Sequence, residues 1–441
     1  MFYPASLINK FKMARSTQCT IKDVLSIESI FKLSTYHYEP FVSYCISYSR
    51  DILKYSLSKE VSHTVSTNAF SILMCSSCQG MFNELIKNDY FRDIITQSLA
   101  DPDLPQPFIG KIASLTSACI KSIKSENYNV LGYIYCLLKY CNNNAVYNFF
   151  TFICSESDDS FNKNKLHEWL NKMGFSEYLL RELTTIDYNH EIEGENLMKD
   201  KVFNNLFCFY ELISMCCKEE RFKKSFENKE FIDVLINNEF HIKNSILMNK
   251  KWKVICGLVS KNTAKYIYEK VYPKAIQILD DEPQILKEYK VTIIDLLAKM
   301  MIVYPDIVND FIDISILQII LNISLNFKNS IFLQDSILKF ISSSFVSQEF
   351  SSLLITTLMP LFMDYATDRS NRVYSCFCYR AIMIIILKSK NNPNAKKTLN
   401  VIYGYDDFVK YQLEPYKKSL GTPYGSESKP KIVKVFKNLF E

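Results

Sequence analysis

The sequence predicts an all-α protein made of stacked helical hairpins, and three observations predict it. Glycine is scarce, apolar residues recur at three- and four-residue spacing over most of the chain, and strict alternation over longer stretches is rare. Only 9 of the 441 residues are Gly, about a third of what average usage would supply. Glycine serves tight turns, phosphate-cradling loops and left-handed backbone. Its scarcity argues against Rossmann, P-loop and β-sandwich architectures, whereas helices joined by short polar loops need little of it.

The elements follow in order. The Pro-rich break from Asp101 to Pro107 cannot be helical and connects two elements. In the segment from Gln106 to Asn127, Phe108, Ile112, Leu115, Cys119 and Ile123 share one helix face. A polar, acidic loop from Ser155 to Ser160 precedes a helix over Lys165 to Met173, which Gly174 closes in a left-handed cap. After a polar loop from Asp187 to Glu195, Val202, Leu206, Phe209, Ile213 and Cys217 form the next stripe, flanked by Phe203 and Phe207. Between Pro283 and Tyr304 the stripe is Leu286, Tyr289, Ile293, Leu296, Met300 and Val303, and Pro305 ends that helix. Asn391 to Asn394 separates two further helices.

Several helices are apolar on more than one side. Ile382, Ile384, Ile385 and Ile386 nearly encircle theirs, which requires burial between neighbours. Single cores stop growing near roughly 250–300 residues, so a chain of 441 residues stacks small units along an axis. The expected architecture is an irregular armadillo/HEAT-like α-solenoid of stacked helical hairpins, with a globular helical bundle as the alternative. No exact internal repeat of about 40–47 residues is visible. The expected organisation is a lead-in over 1–16, a helical-repeat domain over 17–420, a turn-rich linker over 421–430 and a short amphipathic helix over 431–441. That last piece carries Ile432, Phe436, Leu439 and Phe440 beside Lys431, Lys434 and Lys437. It suits a final docking helix or a ligand for a partner's groove.

A net charge of +5 is spread along the chain, unlike the concentrated basic face of a nucleic-acid binder. The 14 Cys come without a secretory leader. Cys119, Cys136, Cys208, Cys216 and Cys256 sit within apolar helical patterns, as small buried hydrophobes of a reducing compartment do. No apolar run reaches the ~18 residues of a membrane span; the longest, Ala381 to Leu387, suits a core helix. A cytoplasmic location, with nuclear access open, is the expectation.

Chemistry-bearing residues are few. The 5 His are scattered, and His167-Glu168 lacks the second His of a zinc-binding H-E-x-x-H, which leaves His167 as a partly exposed helix residue. Cys75 and Cys78 have the spacing of half a zinc site, but Cys376 and Cys378 straddle only one residue and do not complete it. Buried thiols are the reading. Asp158-Asp159 and the acids Asp280, Asp281 and Glu282 lie in polar breaks, where they suit helix starts. No glycine-rich phosphate loop or nucleophile elbow occurs. The sequence therefore predicts no catalytic, cofactor-binding or metal-binding residue, no cofactor, and no enzyme. Of 28 Tyr and 31 Phe, the Tyr-rich stretches Tyr36 to Tyr55 and Tyr133 to Tyr147 are mostly core, with a minority open to a partner.

A family resemblance emerges in the middle of the chain. Asn144 to Phe150, then Leu166-His167-Glu168-Trp169-Leu170, then Tyr178-Leu179-Leu180-Arg181-Glu182-Leu183, then Lys201 to Leu206 and Phe231 to Asn238 follow one another as ordered helical motifs. That order resembles the SAPS-domain family, regulatory subunits of protein phosphatase six. Cys19 to Leu25, Ile52-Leu53-Lys54-Tyr55, and Tyr405-Asp406-Asp407-Phe408-Val409 with Leu413 are similar to flanking family segments. The likeness spans roughly residues 17–425. Tyr405 replaces the usual Trp, Asn204-Asn205 replaces Asn-Ala, and Gln334 stands where His is common. The family's long acidic tails are missing. The resemblance implies a non-catalytic subunit that binds a PP2A-like Ser/Thr phosphatase catalytic subunit and directs it to substrates, with further scaffold or substrate proteins as partners. An armadillo-type adaptor for transport or trafficking partners is the alternative. A helical enzyme and a nucleic-acid binder rank below both.

Overall fold

The computed structural model describes residues 4–123, 128–155, 163–186, 200–237, 244–281, 285–313, 316–368 and 370–421. Among them every regular element is helical and no strand occurs. The fold is an all-α solenoid of stacked helical hairpins, and it divides into two compact units, Met1–Phe226 with Asn237–Ile242, and Glu227–Ile236 with Lys243–Glu441.

In the first unit, local capping starts the stack. Thr20 and Asp23 form a reciprocal capping box on Ile21–Ser26. The next layer closes that helix from outside. Buried Asn68, on His63–Leu73, donates to the carbonyls of Leu25 (2.8 Å) and Ile27 (3.0 Å). One layer further, the Lys111 ammonium on Gln106–Ser122 donates to Ser66 Oγ (2.7 Å) and the Ser56 carbonyl (3.2 Å). The centre of the predicted stripe on this helix is in place, with Ile112, Leu115 and Cys119 fully buried, while Phe108 is half-buried and Ile123 is a half-buried cap just past the helix end. The Pro-rich break is shorter than predicted, because the helix starts at Gln106 and takes Pro107 into its first turn. There the missing N–H leaves no intrahelical bond unmade. Gly174, at φ +78°, adopts the predicted left-handed conformation between Lys163–Lys172 and Phe175–Thr184. Any Cβ at that φ would strain the turn.

The second unit shows the layering most plainly. Ser245–Leu258, Glu288–Val303, Ile331–Ser343 and Arg372–Ser389 form one row, here called the first to fourth row helices. Ala264–Asp280, Ile316–Asn326, Gln348–Thr367 and Pro393–Asn400 cover it on the other side. Buried Phe311 joins the two sides through rings 5.4 Å from Tyr272, 6.3 Å from Phe340 and 5.9 Å from Phe350. Ile382 and Ile385 of the fourth row helix are fully buried while Ile384 and Ile386 are half-buried, so the apolar surround is less complete than the sequence suggests.

Side-chain bonds fix the register of the row. Thr292 Oγ1 donates to Asn249 Oδ1 (2.6 Å), and Lys299 donates to the Cys256 carbonyl (2.6 Å), both across 43 residues of sequence. Lys339 pairs with Asp295 (3.0 Å) across 44 residues, and Arg380 with Asp335 (3.0 Å) across 45. Asn371 donates to Asn329 (3.0 Å) across 42. The first unit keeps a similar step, 43 residues from Leu25 to Asn68 and 45 from Ser66 to Lys111. A repeat hidden in the sequence is thus present as spatial register.

Lysines close helix ends that glycine leaves open. Buried Lys290 donates to the carbonyls of Leu279 (3.2 Å) and Asp281 at the end of Ala264–Asp280. Lys251 reaches the Ile236 carbonyl (3.4 Å) near the end of Lys229–Asn237. A cation there also complements the helix macrodipole. This corrects the reading of Asp280 and Asp281, which lie at a helix end instead of a helix start; Glu282 falls outside the described residues. Pro305 follows the end of Glu288–Val303 as predicted. Pro393 starts a helix within the predicted Asn391–Asn394 break. Glu414–Gly421 is helical, and the rest of the predicted linker and the 431–441 piece lie outside the described residues, as does the 187–195 loop.

Candidate protein-binding edge

The chemistry-bearing candidates do not converge. Among the described residues no group of three or more His, Cys, Asp or Glu is placed to hold a metal ion. Cys75 is half-buried and precedes a 3-10 turn, Ser76–Cys78, that leaves Cys78 buried. Burial pushes the Cys78 thiol up, away from the reactive thiolate. Cys376 is exposed and Cys378 buried on the fourth row helix. His167 is fully buried, not partly exposed as read from the sequence, and its Nε2 lies 2.8 Å from the Ile153 carbonyl. Cys119, Cys208 and Cys216 are buried as expected, Cys256 is half-buried, and Cys136 is exposed, which corrects its core assignment. Asp158 and Asp159 lie outside the described residues. An open cleft lined by Asp280, Asp281, Asn322 and Asn326 offers about 20 Å³, room for one water.

The Tyr-rich stretches are less buried than the sequence suggests: Tyr36, Tyr38, Tyr44, Tyr55, Tyr140 and Tyr147 are half-buried and Tyr48 is exposed, and only Tyr133 and Tyr135 are core. Tyr133 is buried with its hydroxyl 2.9 Å from Thr116 Oγ1, and Tyr135 stacks on Tyr178 with centroids 4.1 Å apart. Exposed large apolar side chains are scattered, with Tyr403, Val401 and Tyr411 near the end of the second unit, but one set recurs in register on the edge where the row helices begin. Ile246, Tyr289, Phe332 and Val373 each occupy the second residue of a row helix, at intervals of 43, 43 and 41 residues. The register bonds place these four starts side by side. Phe332 is 82% exposed, and Ile246 and Val373 are 43% exposed; Tyr289 is half-buried. Ile331 and Ile285 add to the edge at 59% and 68%.

The local sequence explains why these side chains stay outside. Ser330 caps the third row helix by accepting from the Leu333 N–H (3.4 Å), which turns Leu333 inward and Ile331 and Phe332 outward. Asn371 does the same for the fourth by accepting from the Tyr374 N–H (3.0 Å), leaving Val373 outward. Asn244 caps the first, accepting from Ile246 N–H (2.9 Å).

Charge on the edge is uneven. Glu288 is held by Lys253 (2.9 Å), which keeps its carboxyl below the ordinary range. Asp368 accepts from the Ser370 N–H and hydroxyl, both at 2.8 Å. Lys287, Lys328 and Arg372 form no ion pair among the described residues. Lys328 instead lies over the Tyr365 and Tyr374 rings at 4.9 and 5.6 Å. The edge therefore joins a repeated apolar line to spare positive charge. Sequence reading missed it, because Ile331 and Phe332 open an apolar run that looks like core.

No protein-family model matches the chain, and no curated protein matches it in sequence. Among solved structures, Kap121p bound to Nup53p is similar over 96% of this chain and 48% of that one, with 12% identity and a TM-score of 0.48. Kap121p bound to Pho4p is similar over 99% and 50%, with 12% identity and a TM-score of 0.46. An engineered protein is similar over 85% and 99%, with 11% identity and a TM-score of 0.37. This chain spans about half the length of the Kap121p chains it matches. No single helix among the described residues is long and apolar enough to cross a membrane.

Proposed function

We propose that this chain is a non-catalytic scaffold that binds partner proteins along the exposed edge of its second unit. One observation carries the reading: the same repeat position is apolar on four successive helices, and at Phe332 it is 82% exposed. Monomeric surfaces carry scattered apolar residues, whereas an ordered line of them marks an interaction surface. Aromatic side chains at such surfaces commonly contribute ~2 kcal/mol or more to binding.

A photo-crosslinking residue placed at 332 in cells, followed by mass spectrometry, tests this. The expected outcome is one or a few defined protein adducts, absent when the probe sits on a polar exposed position of the first unit. Adducts that do not differ between the two positions refute it.

The order of motifs from Asn144 to Asn238 favours a finer reading, a regulatory subunit of a PP2A-like phosphatase. Affinity purification tests it directly. Recovery of a phosphatase catalytic subunit supports it, and recovery of transport or trafficking cargo without a phosphatase supports the adaptor reading instead.

A further inference from the structure

The spacing and charge of the edge narrow the kind of partner segment it accepts. Packed helices lie about 8–10 Å apart, so the row offers one apolar contact per step of that length. A polyproline II segment turns once every three residues and rises about 3.1 Å per residue, or roughly 9 Å per turn. Every third side chain of such a segment then meets a new row helix. A β-strand does not match, since its same-face residues recur at about 6.6 Å. An α-helix, about 10–12 Å across with its side chains, needs a groove of that width. The edge instead presents a line of first-turn residues.

Charge selects the positions in between. Lys287 and Arg372 have no carboxylate partner among the described residues, while Glu288 is engaged by Lys253 and Asp368 by Ser370 with the charge of Lys328 nearby. The spare charge along the line is positive, which favours acidic residues between the apolar ones. Resting on the protein-binding reading above, we infer that the edge docks an extended polyproline II segment of a partner protein, with a large apolar residue at every third position and acidic residues beside it. Phe332 is the central anchor, and Lys287 and Arg372 flank it.

A fluorescein-labelled peptide of five Leu-Pro-Glu repeats, titrated with the full chain and followed by anisotropy, tests the inference. Saturable binding is expected, weakened at least tenfold by Phe332→Asp and by the double reversal Lys287→Glu with Arg372→Glu. Added salt weakens it as well. Phe332 and Arg372 are exposed and Lys287 is half-buried, so unchanged thermal midpoints show that the variants remain folded.

Three results overturn the inference: no binding, binding indifferent to Phe332→Asp, or equal binding of a Leu-Pro-Lys peptide. Tighter binding of an acidic heptad peptide, helical by circular dichroism, also overturns it and assigns the edge to a helix. If crosslinking at 332 still yields a defined partner while the peptide fails, the segment is wrong and the scaffold reading stands.

Discussion

Replacing Lys290 with Met tests whether a buried ammonium holds a helix end in place. Lys290 is 1% exposed and donates to the carbonyls of Leu279 and Asp281. Desolvation lowers its pKa, with the charges of Asp281 and Asp280 acting against the shift. Methionine keeps most of the stem's volume, so packing changes little. Two carbonyls then lose their donor, at about 1–3 kcal/mol for each that stays buried, and the helix loses a cation at its negative end. Relief of the ammonium's desolvation offsets part of this. A net local loss of about 2–4 kcal/mol follows, which converts to roughly 30- to 1,000-fold faster amide exchange at ~1.4 kcal/mol per tenfold. Hydrogen exchange with mass spectrometry reads this out in peptides covering the end of Ala264–Asp280, with Lys287→Met as the nearby control. Exchange at this helix end that is unchanged or slower in Lys290→Met would show that burying the charge costs more than its bonds return.

Other expectations follow from the same geometry. Thr292→Val removes the donor to Asn249 between the first two row helices and should cost about 1–3 kcal/mol, read as a lower urea midpoint; an unchanged midpoint refutes the register role. Phe311→Ala empties the centre of the Tyr272, Phe340 and Phe350 cluster and should cost about 3–5 kcal/mol, with loss of near-ultraviolet dichroism. The Lys59 bond, then the Asp103 N–H, hold the Asp101 carboxyl below its ordinary value. Its contribution to stability is therefore present above the ordinary Asp value and lost as pH falls through the lower folded one. In Lys59→Met its titration midpoint, followed by carbon NMR, should move upward. Maleimide should label the exposed Cys376 and Cys136 in the native protein, whereas Cys119 and Cys378 wait for unfolding. Burial raises the Cys378 thiol to about 12, and native labelling of Cys378 at the rate of Cys376 would contradict this.

The sequence makes the helices legible wherever one side meets the core. Leu206, Phe209 and Ile213, or Ile293, Leu296 and Met300, are buried as their spacing implies. Periodicity reports which side chains face inward on one helix, and it does not report how successive helices align. The alignment depends on unlike pairs, such as Thr292 with Asn249 and Lys299 with a backbone carbonyl, and carbonyls carry no sequence signature. Asp295 and Lys299 recur as Asp335 and Lys339, but 40 residues on, out of step with the 43 residues from Tyr289 to Phe332, so this echo does not give the register. Phe332 misleads because composition cannot separate an outward apolar residue from an inward one before the cap at Ser330 is placed. His167 misleads in the opposite sense, since its neighbour Glu168 is exposed while the ring itself turns into the core.

The backward reach of the register bonds bears on synthesis. Thr292, Lys299, Lys339 and Arg380 each contact a helix made 43 to 45 residues earlier. At about 5–20 residues per second on the ribosome, a newly emerged helix waits roughly 2–9 seconds for the side chain that completes it. During that interval the apolar side of the earlier helix is open to solvent, and nascent chains of this protein should engage chaperones in pulses spaced by one repeat.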